Sequence, residues 1–419
     1  MGDRGYVCAF RGRRDYYQVP IALAESDELD QFITDAYLDP LTRTLLGFLP
    51  AKFEEKLRAR TAPGIPEDRV TCLWGVSTLE YLGHRLGFAP SRTFAKLDRF
   101  FSRAAAARCR KMRSNLLLYS PYAWDAFTSR YSHTPRRILF QYHPHPDLER
   151  RILLRDRAEY PFVHDSFAEE AGEHLSDEMR RRGRDCWRHA DSIICASAFT
   201  KQSLVEAGAP ADLCVVVPYG IDLSPEAKAE ANPNSFSALF VGNGSQRKGL
   251  HHLLIAWQNA SLPKDSRLTL VCRYVDQGIE ALAHQTADVQ IVRGVGRDEL
   301  KYLYRHASLF VMPSLVEGFG QVYLEALAEG CPVLGTRNTG LPNLGAEADG
   351  IFLIEPGNID DLTATLEALA QKMPGNVHLR QRARCCAMRW SWSRFRDGIR
   401  STLAWPEGVG GARGGTHLS

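Results

Sequence analysis

Short apolar runs alternate with amphipathic stretches along the second half of the chain. Phe236–Val241, Leu268–Cys272, Val289–Val292, Leu309–Met312, Val333–Gly335 and Ile351–Ile354 read as buried strands. Between them, Lys248–Ala260, Arg297–Arg305, Phe319–Ala328 and Asp360–Ala370 carry helical spacing, while the segment after Cys272 reads only as polar. Asn358 or Asp360 is placed to cap the last of these helices. Such alternation predicts a parallel sheet covered by helices on both faces. The first half is less regular but also α/β. Its strand candidates are Tyr6–Phe10, Val70–Leu73, Leu116–Tyr119, Arg137–Gln141, Ser192–Cys195 and Cys214–Val217, with helices over Thr93–Arg113, Ala168–Ala190 and Thr200–Gly208.

At 419 residues the chain exceeds one ordinary core, so two domains are expected. The punctuation PYGID at Pro218–Asp222 marks the join. The expected division is residues 1–218, residues 219–388 and a helical segment at 389–406 that crosses back to the first domain. That helix, over Ser391–Leu403, puts Trp392, Phe395 and Ile399 on its apolar side. Residues 407–419, ending in GVGGARGGTHLS, lack a core-forming pattern and are expected to be disordered. Two α/β units joined in this way leave a cleft between the carboxyl ends of two sheets, where ligands bind.

Composition adds little beyond a globular class: 44% hydrophobic, 24% charged, net charge +3. The charge is unevenly spread, with nine Arg or Lys against one acid between Arg85 and Arg113. Within 92–113, Lys96, Arg99, Arg103, Arg110 and Arg113 lie beside Phe94, Leu97, Phe100, Phe101 and Met112. This pattern fits an anionic membrane surface, a solvated face or electrostatic contact with nucleic acid. Basic and aromatic residues are not interleaved and no nucleic-acid motif is present, so no nucleic-acid partner is expected. The small residues Ala104–Ala107 favour close helix packing instead. Ten cysteines without a C-x-x-C pair, and no signal-peptide pattern, lead to the expectation of a reduced, cytoplasmic protein, peripheral to the inner membrane face if the basic helix docks there. No apolar run approaches the roughly 18 residues of a spanning helix.

Chemistry concentrates in Ala307–Leu334, ASLFVMPSLVEGFGQVYLEALAEGCPVL. It reads as strand, tight turn, helix, strand. Glu317 and Glu325 bracket Gly318 and Gly320, where backbone can approach a ligand, and a helix starting near Phe319 aims free N–H groups above the strand ends. The layout suits a ligand with hydroxyls at both ends and phosphate between them. A hydrolase acid/base pair is disfavoured because both acids come from one βα segment. The loop VGNGSQRKG, Val241–Gly249, offers Gly242, Asn243 and Gly244 to a diphosphate, with Arg247 and Lys248 at its end. It is neither G-x-x-x-x-G-K-[ST] nor G-x-G-x-x-G, and a structural turn is the competing reading. PRRILFQYHPHP delivers His143 and His145 at a strand end, for contact with a sugar hydroxyl, as a metal pair or as a capped turn. A metal would need a third protein ligand, which the sequence does not identify, so none is expected. In FRGRRDYY, Arg11, Arg13 and Arg14 either meet an anionic acceptor or are simply solvated.

Taken together, these residues resemble the retaining GT-B glycosyltransferases of the family 4 type, the glycosyl transferases group 1. Glu317 and Glu325 form the E-x7-E signature. VPYGID at Val217–Asp222 is similar to the interdomain V-P-N-G-V-D, with Tyr219 in place of Asn. Asp349–Gly350 and Glu355–Pro356–Gly357 match a D-G-x-L-x-x-P-G region, and Trp392 lies in the returning segment. The likeness is specific over Val217–Ile399 and mostly architectural before it. It implies two Rossmann-like domains facing a central cleft. It implies a nucleoside-diphosphate sugar as donor, with UDP or GDP favoured, and no cofactor. Glu325 would bind ribose. The backbone of Gly318, Phe319 and Gly320 would serve donor sugar and phosphates, Glu317 the sugar, and Lys248 the diphosphate. His143 would be the active-site histidine of the first domain. Transfer would retain anomeric configuration without a metal, to a glycan or polyprenyl-linked saccharide, in bacterial surface-polysaccharide synthesis. One departure stands out: the family's phosphate-binding Arg is Asn243 here, and Arg247 or Arg273 is expected to replace it. That substitution supports the competing reading, an inactive sugar-nucleotide-binding or scaffold protein.

Overall fold

The computed structural model describes residues 5–38, 60–75, 90–173, 175–223 and 235–404, with backbone alone at 90–95. Strands β1 (Tyr6–Ala9), β2 (Leu29–Thr34), β3 (Val70–Cys72), β4 (Asn115–Tyr119), β5 (Arg137–Gln141), β6 (Ser192–Cys195) and β7 (Cys214–Val216) form the first sheet. Its order is β3-β2-β1-β4-β5-β6-β7, parallel throughout. Around it lie α1 (Gln18–Glu25), α2 (Pro90–Met112), α3 (Ser120–Phe127), α4 (Pro146–Glu159), α5 (Asp165–Glu170), α6 (Asp177–Asp185) and α7 (Ala198–Glu206). The second sheet joins β8 (Ser237–Val241), β9 (Arg267–Val271), β10 (Val289–Val292), β11 (Leu309–Met312), β12 (Val333–Thr336) and β13 (Ile351–Ile354). Its order is β10-β9-β8-β11-β12-β13, again parallel. Its helices are α8 (Leu250–Asn259), α9 (Gln277–Gln285), α10 (Arg297–His306), α11 (Gln321–Ala328), the short α12 (Leu341–Leu344), α13 (Ile359–Lys372) and α14 (Val377–Met388).

The central strands β1, β4, β5, β8, β11 and β12 are apolar and buried, as strands covered on both faces must be. Each order reverses once, between β1 and β4 and between β8 and β11. Loops leaving the strand ends at such points diverge and leave a crevice. The two crevices face each other.

Helix α15 (Trp392–Leu403) follows α14 and returns to the first lobe, burying Trp392, Phe395, Ile399 and Leu403. Arg136 donates to the carbonyls of Thr402 (3.0 Å) and Leu403, closing the helix end that would otherwise be bare. Arg396 reaches Gln18 Oε1 at 2.7 Å and Glu25 at 2.9 Å. Ser391 caps the helix and forms an isolated parallel bridge with Ile221 in the crossing segment.

Several local readings need correcting. Ala168–Ala190 is not one helix. Gly172 takes φ +65° and ends α5, and Ser176 Oγ then accepts from Met179 N (3.3 Å) to start α6. Helix α11 starts at Gln321 rather than Phe319 because Gly320 sits at φ +83°. The apolar stripe of α2 turns inward: Leu97, Phe101, Ala105, Ala106 and Cys109 are buried, leaving Phe100 and Met112 outside. Arg99 and Arg103 approach Asp125 of α3 at 3.7 and 3.5 Å. Arg85, the side chains of Arg92 and Phe94, and the tail 407–419 lie outside the described residues. No helix among the described residues is long and apolar enough to cross a membrane.

Candidate active site

The loop after β8 and the turn after β11 meet at the second lobe's switch point. Lys248 Nζ contacts Glu317 Oε2, and Arg247 Nη1 donates to the same oxygen at 2.7 Å. Burial works to raise the Glu317 pKa, but Arg247 and then Lys248 outweigh it, so the carboxylate is held well below its ordinary range. Burial lowers the Lys248 pKa, with Glu317 opposing. Two carboxylates arrive from the first lobe. Glu149 of α4 lies 3.7 Å and Glu170 of α5 lies 3.4 Å from Arg247 Nε. Glu170 also accepts from Arg247 N (3.1 Å) and Ser245 Oγ (2.6 Å). Burial pushes the Glu149 carboxyl up to about 7, with Arg247 opposing and Glu170 adding.

His143, at the end of β5, faces this cluster. Its half-buried ring has a sequestered Nδ1 without a hydrogen-bond partner. Burial pulls its pKa down to about 4, reinforced by Arg247, with Glu317 opposing. The imidazole is therefore neutral near pH 7 and offers one donor and one acceptor. Gly318 lies directly against it. A Cβ there would stand 1.8 Å from Tyr142 O and 3.1 Å from His143 Cα, so only glycine permits this approach of the lobes. Thr200 Oγ1 of α7 donates to Gly318 O at 3.2 Å. Phe319 points into the core, edge-on to Tyr219 at 5.2 Å, leaving only its backbone to a ligand.

Next to this cluster a cavity of about 390 Å³ opens between the lobes. Its wall includes Arg13, Tyr16, Arg273, Arg297, Gln321 and Glu325. Glu325 accepts from Tyr304 Oη at 3.4 Å, and burial raises its pKa against that bond and against Arg297. A carboxylate in this position suits a diol. Arg273 is exposed along the wall, whereas Arg247 is committed to carboxylates. Asn243 is exposed at the loop tip between Gly242 and Gly244. The predicted residues thus fall into two neighbouring groups. His143, Arg247, Lys248, Glu317 and Gly318 form one, and Arg273 and Glu325 the other, with Gly320 preceding the cavity-lining Gln321.

His145 does not join either group. Its Nδ1 accepts from Asp147 N at 3.3 Å and its Nε2 meets Arg184 O at 3.0 Å, making it the buried cap of α4. Sequence reasoning missed Glu149, Glu170, Tyr16, Arg297 and Tyr304. The first lobe's FRGRRDYY loop is more unusual than its charge suggested. Asp15, Tyr16 and Tyr17 take φ of 46°, 52° and 65°, a left-handed run without glycine. Tyr119 Oη donates to Asp15 Oδ2 at 2.5 Å, and the Arg14 guanidinium lies 4.2 Å from the Tyr142 ring centre. The strain presents Arg13 and Tyr16 to the cavity.

A second cluster spans the lobes away from the cavity. Asp156 of α4 meets His251 Nε2 at 3.0 Å and His252 Nε2 at 2.7 Å, all buried. Metal-bound imidazoles donate their other ring N–H to an outer partner. Both Nδ1 atoms lack one here, so we read the cluster as a polar pin between lobes.

Two parallel sheets with facing switch points and a returning helix define the GT-B class of fold. Residues 235–372 match the family model described as Glycosyl transferases group 1. The match lies inside the second lobe, and the chain as a whole has the GT-B fold. The MMP alpha-(1->4)-mannosyltransferase of Mycolicibacterium hassiacum is 29% identical over 182 residues, covering 42% of this chain and 44% of that one. The O-antigen chain mannosyltransferase B of Escherichia coli is 27% identical over 212 residues, covering 46% and 55%. The chain thus spans about half the length of these curated relatives. Sucrose-phosphate synthase from Thermosynechococcus elongatus superposes with a TM-score of 0.67 at 18% identity, covering 96% of this chain and 98% of that one. Anabaena HepE in complex with UDP and glucose gives 0.57 at 17% identity, covering 96% and 99%. At such identities the structural likeness concerns the fold alone.

Proposed function

We propose that the protein transfers a sugar from a nucleoside-diphosphate sugar to a saccharide or lipid-linked saccharide, with retention of anomeric configuration. The observation that carries this reading is the cavity with Glu325, Arg273 and Gln321 in its wall, Gln321 directly following the Gly318–Gly320 turn whose preceding residue Glu317 meets Lys248 and faces His143. Nucleoside fills the cavity, with Glu325 on the ribose diol. The diphosphate lies between this turn and the Ser245–Lys248 loop, near Lys248 and within reach of Arg273, the cation we assign to the role vacated at Asn243. The hexose faces Glu317 and His143. As the bond to the leaving diphosphate breaks, these cations stabilise the charge that develops on its oxygens, and neutral His143 orients a sugar hydroxyl. The Tyr142–Gly318 contact excludes water from the reacting carbon.

UDP and GDP sugars are the donors to test first. The names of the relatives, two mannosyltransferases and a protein solved with UDP and glucose, support that choice, and the O-antigen enzyme supports a surface-polysaccharide setting. A donor-by-acceptor screen with anomer analysis of the product decides the matter. Retained configuration in a new glycoside is the expected result; inversion overturns the mechanism. Asn243 and the carboxylates on Arg247 favour a second reading, an inactive nucleotide-sugar binder. Tight nucleotide binding with no transfer to any acceptor would select it.

A further inference from the structure

The phosphate-side cations carry more negative charge than they need. Arg247 and Lys248 bring two positive charges, and Glu317, Glu149 and Glu170 bring three carboxyl groups around them. Glu317 belongs to the second lobe and sits between both cations. Glu149 and Glu170 come from the first lobe. Glu170 also takes a backbone N–H and a hydroxyl from the Ser245–Arg247 turn. A guanidinium, a main-chain N–H and a serine hydroxyl converging on one oxyanion is the donor set that a phosphate takes.

We propose that Glu170, with Glu149 beside it, stands in for a donor phosphate on the Ser245–Arg247 turn, so that first-lobe carboxylates and the donor's diphosphate compete for the same donors. The idea rests on the donor reading above. Binding then exchanges an internal anion for an external one and loosens the seam between α4, α5 and the second lobe. Glu149 and Glu170 are positioning residues that set donor affinity through Arg247. Burial, opposed by Arg247 and assisted by the neighbouring carboxylates Glu170 and Glu317, pushes the Glu149 pKa up to about 7, where proton uptake relieves the competition.

Isothermal titration with UDP-glucose and GDP-mannose, on the wild type, Glu149→Gln and Glu170→Gln, tests this. Each Gln keeps the shape and removes the charge. We expect donor affinity to tighten about fivefold or more in either variant, with a lower donor KM and no matching rise in kcat. Unchanged or weaker affinity in variants that melt like the wild type overturns the proposal and makes the two acids simple supports of Arg247. The wild type supplies a second measurement that needs no variant. These diphosphodiesters have no group titrating between about pH 6 and about pH 8, so affinity should tighten as pH falls through about 7. A flat or opposite trend overturns the proposal as well. If nothing in a panel of nucleotide sugars binds wild type or variants, the donor reading itself fails. If donors bind the wild type and the Gln variants bind no better, only the competition fails.

Discussion

Two first-lobe residues beside the seam titrate in opposite senses. The folded-state pKa of Glu149 is raised to about 7 by burial, while an unfolded carboxyl titrates near about 4.3. Its contribution is therefore full below about pH 4.3 and is lost as pH rises through about 7. His143 is lowered to about 4 by burial from an ordinary value of about 6.5. Its contribution is full above about pH 6.5 and is lost as pH falls toward about 4. The two slopes partly cancel in the wild type and separate in single variants. Measured by urea midpoints across that window, Glu149→Gln should gain on the wild type as pH rises, and His143→Asn should gain as pH falls. Parallel curves would remove either group from its assigned environment. Lys248 gives a charge test at the same site. Lys248→Ala should weaken UDP or GDP binding about 10- to 100-fold, the range for a lost hydrogen bond to a charged group. Unchanged titration isotherms would take Lys248 out of the phosphate site.

The turn between β11 and α11 is the element on which lobe closure depends. A methyl group at Gly318 meets Tyr142 O at 1.8 Å, and backbone on both sides cannot yield as a flexible side chain would. Gly318→Ala should leave each lobe folded and wedge the two apart. Small-angle scattering should show a larger radius, and transfer should fall at least about tenfold as the reacting geometry is lost. An unchanged radius together with full activity would mean that the closed contact plays no part in solution. This turn was legible in the sequence because Glu317, Gly318, Gly320 and Glu325 are local, as were the buried strands of the second sheet. The first lobe was harder to read. β2 (LDQFIT) mixes polar and apolar positions, and α4 (PDLERRILLRDRAE) is dense in charge because its outward face is wet. The polar run beyond Ala168 hid a break at Gly172 that only its left-handed φ reveals. Glu149 and Glu170 gave no signal at all, since their role exists only through contact with Arg247, 98 and 77 residues downstream of them.

The lobes are joined by two different kinds of seam. At the crossing, Ile221 pairs with Ser391 and the chain returns through α15, so the contact is main-chain and aromatic. Across the cleft the contact is a chain of buried polar groups. Asp276 accepts from Ser166 N (2.8 Å) and Oγ (2.9 Å), and Ser166 Oγ accepts from Gln246 N (3.1 Å). Gln246 Nε2 then donates to Asp156 Oδ2 (2.7 Å), which also meets His251. Every link passes from one lobe to the other, which predicts that this seam opens as a unit about the crossing. That has a thermodynamic signature. Asp156→Asn and Asp276→Asn should each lower unfolding free energy by about 1–3 kcal/mol, because each leaves buried donors without their acceptor. If one substitution already parts the seam, the second removes a bond that no longer forms. The double variant should then fall short of the sum by more than about 0.5 kcal/mol, beyond the scatter of independent sites. Chemical denaturation of the four proteins of the cycle measures it. Strict additivity would show two separate pins, each able to release while the other keeps the lobes together, and would rule out opening as a unit.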